Sequence, residues 1–328
     1  MHLEGDVMAA PIAPLPPTAP RAATKEGRYL LDSERFLGPL MLLPTIVYIV
    51  ALVGFPLGLA IAYAFSDVTV GDQSIDWVGW YNFRETWDDK VFQTALRNTL
   101  VFTLVAQVVV LILANILALV LSANFHGKRL VRFLVLLPWT TPVALATVGW
   151  WLLLDGLYSP IDFALRAVGL LGPDTPWGPM RNMYWLAEPD RARFSVLLVH
   201  VWRILPLSTV ILLAGLTSIP QDVRDAANVD GAGFWRQLFW IRLPLLAPIM
   251  LVATLFGTVF TFTDMTVVYV LTRGGPNDNT QVLAHWAFTK GVQGGDLAQG
   301  AAVALFLFPV LAGVAALMLR VARRAETS

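Results

Sequence analysis

Apolar positions along this chain come in long unbroken blocks, not in the narrow stripes of a soluble helical protein. Residues 36–66 carry no charge over 31 positions, 98–125 none over 28, and 133–154 none over 22. Residues 243–263 add 21 such positions and 297–319 add 23. A further block, 194–219, is apolar apart from Arg203. About 20 residues at a rise of about 1.5 Å each cross a hydrocarbon core, so every block is long enough to span. The pattern predicts an all-α integral membrane protein with six transmembrane helices over 36–320. Prolines 39, 44, 56, 138, 142, 206, 248 and 309 lie in or beside these blocks. Membrane helices accept proline where neighbouring groups satisfy the freed carbonyls, and the kinks suit a cavity-lining bundle.

Composition agrees with the pattern. Hydrophobic residues make up 56% of the 328 and charged ones 14%, against about 25% charged in soluble domains. The segment 1–35 lacks the continuous apolar core of a signal peptide, and its Pro- and Ala-rich middle reads as a disordered tail. A short C-terminal tail, 321–328, is expected after the last span. Six spans put both termini on one side. If that side is cytoplasmic, the inner segments hold 13 Lys and Arg against nine in the longer outer loops, in the sense of the positive-inside rule. The clearest signals are "HGKRLVR" (126–132) and "RVARR" (320–324). Both termini are therefore expected in the cytoplasm.

Candidate chemistry is sparse. Cysteine is absent, which excludes disulfides and thiolate catalysis, and the four histidines (2, 126, 200, 285) have no ligand spacing. No metal site is expected. No Gly-x-x-x-x-Gly-Lys-Ser/Thr loop is present to cradle ATP phosphates, and no triad or paired carboxylates suggest an enzyme. Equal numbers of acidic and basic residues give no sign of a nucleic-acid partner.

Between the fourth and fifth spans, residues 218–243 form a polar insert too long and too ordered for a plain connector. Ser218 and Gln221 fit a capping box at a helix start. Asp222 and Asp225 fall in the first turns, where negative charge suits the helix dipole. Val223, Ala226 and Ala227 share a helical face, and Gly231 can take the left-handed conformation that stops the helix. "FWRQLFW" (234–240) then offers a second amphipathic turn or two before Leu243-Pro244 enters the membrane. Small Ala226 and Ala227 let another backbone approach, so the insert reads as a docking plug. An interfacial helix lying on the lipid is the alternative.

The insert resembles a known family. Asp225-Ala226-Ala227, three residues, Gly231, nine residues and Ile241-Arg242-Leu243-Pro244 match at every spacing the cytoplasmic loop Glu-Ala-Ala-x3-Gly-x9-Ile-x-Leu-Pro of permease subunits of binding-protein-dependent ABC importers. Asp225 replaces Glu, which keeps the charge and shortens the reach. The resemblance spans roughly 36–320 and points to the carbohydrate branch. It includes "DWVGWYNFRETWDDKVFQTALRNTLVFT" (76–103), "VLLPWTTPVALATVGWWLLL" (135–154) and "FTDMTVVYVLTRGGPNDNTQ" (262–281). It implies a coupling-helix loop contacting a dimer of separate ABC ATPase subunits through Asp225, Ala226, Ala227, Gly231, Ile241, Leu243 and Pro244. It also implies a second permease subunit, an extracytoplasmic solute-binding protein, and residence in a bacterial cytoplasmic membrane in contact with lipid. The cargo class would be a sugar, oligosaccharide or polyol. This chain would hold no cofactor of its own, ATP and Mg residing on the partner. An ATP-independent secondary transporter or channel subunit is the alternative.

For the transported molecule, intramembrane charges are the first candidates. Arg203 lies about 15 Å from the outer end of its span and Asp264 about 12 Å from the end of span five, by the helical rise. They either find structural partners, each other included, or face a water-filled path. Among 12 tryptophans, most fit an interfacial aromatic belt. Trp150, Trp151 and Trp202 remain candidates for lining a cavity.

Overall fold

A computed structural model describes residues 34–179 and 181–327, so the expectation for the tail 1–35 lies outside them apart from its last two positions. The chain divides into two units, 1–56 and 57–328. In the first unit α1 (Glu34–Ile49) carries Pro39 and Pro44 and runs into a π-helical turn, Val50–Gly54. That wide turn places the Phe55 N–H on the Val50 carbonyl, immediately before Pro56, which has no N–H to give. The chain continues as α2 (Phe55–Ala64).

The second unit is built around three long helices. They are α4 (Lys90–Ser122), α8 (Pro189–Ser218) and α11 (Leu243–Thr263), with α14 (Leu297–Thr327) beside α11. Helix α4 presents Ala95, Thr99, Thr103, Ala106, Val110, Ala114 and Ala118 as a buried stripe at three- and four-residue intervals. Lipid tails are as apolar as leucine, so helices in a membrane gain by close backbone approach; the small stripe supplies it. Ala114 and Ala118 pack with Leu212 and Leu216 of α8 and Leu246 and Ala253 of α11. At the other end Leu154, Trp185, Val196, Val199, Val267, Val268 and Leu271 form a second core. Gly215 of α8 sits so close to α11 that an added Cβ would come within 2.8 Å of Leu246 and 2.7 Å of Ile249.

Short helices fill the connections. They are α3 (Tyr81–Asp88), α7 (Pro160–Ala167), α12 (Thr266–Leu271) and α13 (Leu283–Phe288). The loop after α2 is pinned by Asn82, which is buried and donates to the carbonyls of Ala64 (3.1 Å) and Ser66 (2.6 Å). Asn98, near the start of α4, donates to the carbonyls of Asn279 (3.1 Å) and Gln281 (3.0 Å). It thereby ties the 272–282 loop to α4.

Two expectations need correction. Residues 133–154 do not form one straight crossing: α5 (Lys128–Thr140) and α6 (Val143–Leu153) meet at a 100° bend. The residue before a proline is disfavoured in the helical region, and Thr141 before Pro142 is extended (φ −80°, ψ 137°). Among the described residues five helices are long and apolar enough to span, and six if the bent pair counts as one. Helix α11 matches the fifth block, 243–263, but does not run on past Asp264 as the expected depth of that residue implied. Helix α11 stops at Thr263, Asp264 is extended, and α12 resumes at Thr266. At the C-terminus α14 continues through the expected tail to Thr327.

Gly215→Leu should overpack the α8–α11 contact and cost about 1–3 kcal/mol, seen as a lower melting temperature of the detergent-solubilised chain. Gly149→Ala, where an added Cβ meets no atom within 4 Å, should leave melting unchanged or slightly raised. Equal melting of the two variants would refute the close approach.

Candidate functional site

The insert between α8 and α11 folds as α9 (Gln221–Val229), a turn, and α10 (Phe234–Gln237). The expected capping box does not form. Ser218 Oγ donates back to the Gly215 carbonyl at 2.8 Å, ending α8, and Pro220 precedes α9 with no side-chain cap. Gln221 donates to Asp225 Oδ1 at 2.9 Å instead, one helical turn along. Gly231 has φ +69°, the left-handed geometry expected of it. There the Ala232 N–H reaches the Ala227 carbonyl and the Asp230 N–H that of Ala226, so the last carbonyls of α9 are satisfied.

On α9, Asp225 and Ala226 face outward and Ala227 is buried. The expected shared face is therefore split between surface and interior. Gln237 locks the turn, donating to Asn228 Oδ1 and to the Ala232 carbonyl at 2.8 Å each, while Arg242 donates to its Oε1 at 3.2 Å. Ile241 lies in a π-helical turn, Leu238–Arg242, where the Leu243 N–H reaches back to Leu238. Pro244 follows directly in the first turn of α11. The second half of the insert and span five are thus one helix from Phe234 to Thr263, about 45 Å long, where a boundary at Leu243 was expected.

Toward the other end of that helix the structure joins Arg203 and Asp264. Arg203 Nη1 donates to Asp264 Oδ2 at 3.0 Å, with the side chains 16% and 7% exposed. His200 Nδ1 meets the same oxygen at 3.0 Å, and Asp264 Oδ1 accepts the Thr266 N–H at 2.9 Å. His200 Nε2 lies 2.9 Å from Thr261 Oγ1. That hydroxyl also bonds the Gly257 carbonyl (2.7 Å) and receives the Gln107 amide (3.0 Å). An ionised carboxylate only accepts, so Nδ1 of His200 carries a proton. Thr261 has one proton to give, to Gly257 or to His200. Gly257 leaves room for the Gln107 amide, which an added Cβ would overlap.

The sequence reading missed His200, Thr261 and Gln107. The signal was spacing: His200 stands one turn before Arg203, and Thr261 one turn before Asp264, each polar within an apolar run. Of the tryptophans, Trp150 and Trp202 meet edge to face, centroids 5.6 Å apart, and Trp150 packs on the second core. Trp151 points outward and joins neither.

Residues 111–327 match the family described as "binding-protein-dependent transport system inner membrane component". The chain belongs to this family. It is a multi-pass membrane permease component, and membership favours binding-protein-dependent transport over the ATP-independent carrier. The trehalose/maltose transport system permease protein MalF of Thermococcus litoralis is 30% identical over 291 residues, covering 88% of this chain and 95% of the relative. The sulfoquinovosyl glycerol transport system permease protein SmoG of Agrobacterium fabrum is 28% identical over 297 residues, covering 90% and 93%. A chain of the bacterial alginate ABC transporter, crystallised with an alginate pentasaccharide-bound periplasmic protein, superposes with a TM-score of 0.73 at 20% identity, over 88% of this chain and 94% of that one. That likeness concerns the fold.

Removing one partner of a buried ion pair costs about 3–5 kcal/mol. Arg203→Met and Asp264→Leu should each lose stability on that scale. The double variant should lose less than the sum by at least about 1 kcal/mol. Reversible unfolding in mixed detergent micelles measures the cycle, and additive losses would show that the two charges are not coupled.

Proposed function

We propose that this chain is one permease subunit of an ATP-driven importer for a sugar, oligosaccharide or polyol, with both termini in the cytoplasm. The carrying observation is α9, a short outward-facing helix mounted rigidly on the end of a spanning helix. Its exposed Asp225 and Ala226 offer a small acidic surface to a cleft of a separate ABC ATPase. Ala227 and Gly231 hold the helix to the body and turn the chain. Ile241, Leu243 and Pro244 carry movement into α11. ATP and Mg belong to the partner ATPase dimer, and a second permease subunit completes the path. A solute-binding protein delivers cargo at the opposite face; the alginate transporter's complex with an alginate pentasaccharide-bound periplasmic protein supports such a partner. The relatives' cargoes, trehalose/maltose and sulfoquinovosyl glycerol, support a carbohydrate.

Both oxygens of Asp264 accept bonds from within the chain, which supports a role for Arg203 and Asp264 in holding the α11–α12 break. Trp150 and Trp202 shape that end of the bundle, and Trp151, exposed, stays the candidate for contact with a passing molecule.

Gly231→Pro and Ala226→Trp should abolish coupled uptake, by tenfold or more, while ATP hydrolysis by the assembled complex persists and membrane insertion stays normal. Proline cannot adopt φ +69°, and at Ala226 the bulk faces outward, sparing the chain's own packing. Reconstituted vesicles with the co-purifying ATPase and labelled oligosaccharide measure both rates. Wild-type uptake by both variants would exclude the docking role of α9.

A further inference from the structure

Behind α9 lies a cleft of about 420 Å³, between the last turns of α4 and α8 and the start of the helix leading into α11. Leu119, Leu216 and Ile219 give it apolar walls, with Phe234 at its edge, and Arg224 and Arg242 turn into it. Nε of each arginine is cut off from solvent and meets no acceptor among the described residues. Arg242 gives Nη2 to Gln237. Arg224 makes no hydrogen bond or ion pair among the described residues. Among the described residues no Asp or Glu lines the cleft; Asp225, the nearest in sequence, bonds Gln221 instead. Two half-buried guanidiniums without counter-charge are costly unless an anion joins them.

We propose that this cleft binds the phosphate of an anionic phospholipid from the leaflet on the α9 side. Four observations select a lipid. The walls are the closing turns of two spanning helices, Leu119 to Ser122 and Leu216 to Ile219, so the cleft opens at the level where a membrane's headgroups lie. Its apolar residues continue into Phe234, Trp235, Phe239 and Trp240, all exposed, which form an aromatic belt of the kind found at that level. Basic pockets between spanning helices take lipid headgroups, and a guanidinium fork matches phosphate oxygens. The surface proposed to meet the ATPase, Asp225 and Ala226, is not part of the cleft. A phosphate held here would bridge α9 to the start of the long helix and stiffen the joint through which movement passes.

Native mass spectrometry of the full chain in detergent tests this, with dioleoyl phosphatidylglycerol, dioleoyl phosphatidylcholine and inorganic phosphate as probes. The wild type should retain phosphatidylglycerol at least tenfold more tightly than phosphatidylcholine. R224Q/R242Q should lose that preference, R224K/R242K should keep most of it, and the exposed-site control R129Q should match the wild type. Equal retention of the two lipids by the wild type, or an unchanged preference in R224Q/R242Q, would overturn the proposal. Displacement of phosphatidylglycerol by millimolar inorganic phosphate would also overturn it, assigning the cleft to a free anion. Should R224Q/R242Q fail to fold, the wild-type lipid comparison and the lysine variant still decide.

Discussion

The second unit depends on one carboxylate. Where α11 ends, backbone groups are freed inside a region with no bulk water to satisfy them, and unsatisfied groups there cost several kcal/mol. Asp264 resolves the break: one oxygen accepts the first N–H of α12, and the other takes Arg203 and His200 from α8. The break in turn allows α12 to lie against α6, and α6 occupies that place because Pro142 bends the chain by 100° away from α5. Two interruptions, one at a proline and one at an aspartate, are thus matched to each other. Filling either with a straight helix would leave the other without its packing partner.

The same aspartate terminates a rigid connection. From Phe234 to Thr263 the chain is helical without a gap, and the π-helical turn before Pro244 absorbs the missing donor without a break. At one end Gln237 clamps this helix to the turn that follows α9. At the other, Asp264 and Thr261 join it to α8 and, through Gln107, to α4. On the proposed reading, movement imposed on α9 would reach the buried junction through a continuous helix of about 45 Å. In the importer proposed, that is the physical content of coupling.

How much of this was legible depended on what each residue had to satisfy. The spans were readable because lipid forbids charge over about 20 residues. Gly231 was readable because few other residues accept a left-handed backbone. The Arg203–Asp264 contact was one of two readings, since depth along two helices can be counted but their facing cannot. His200 was passed over because histidine was sought as a metal ligand, when its one-turn spacing from Arg203 was the useful clue. The capping box at Ser218 failed because a serine at a helix boundary can serve either side, and here it closes α8. The 100° bend was out of reach, because Pro142 marks a kink but not whether the chain turns back or continues. Nor could the splitting of Ala226 and Ala227 between surface and interior be read from spacing that places both near one face.

Charge placement follows a single rule that separates the two polar regions. Within the bundle, Arg203 and Asp264 cancel, and each polar neighbour is hydrogen-bonded by another part of the same chain. A charge there has no other source of compensation, so the chain must supply it. At the edge of the spans the rule relaxes. Arg224 and Arg242 share a half-apolar cleft, and among the described residues only one of their guanidinium groups has a partner, a neutral amide. Burying a charge costs free energy in both places. An outside anion would relieve the uncompensated pair, and the headgroup layer of a membrane supplies one. Interior charges hold this fold together, whereas boundary charges connect it to its surroundings.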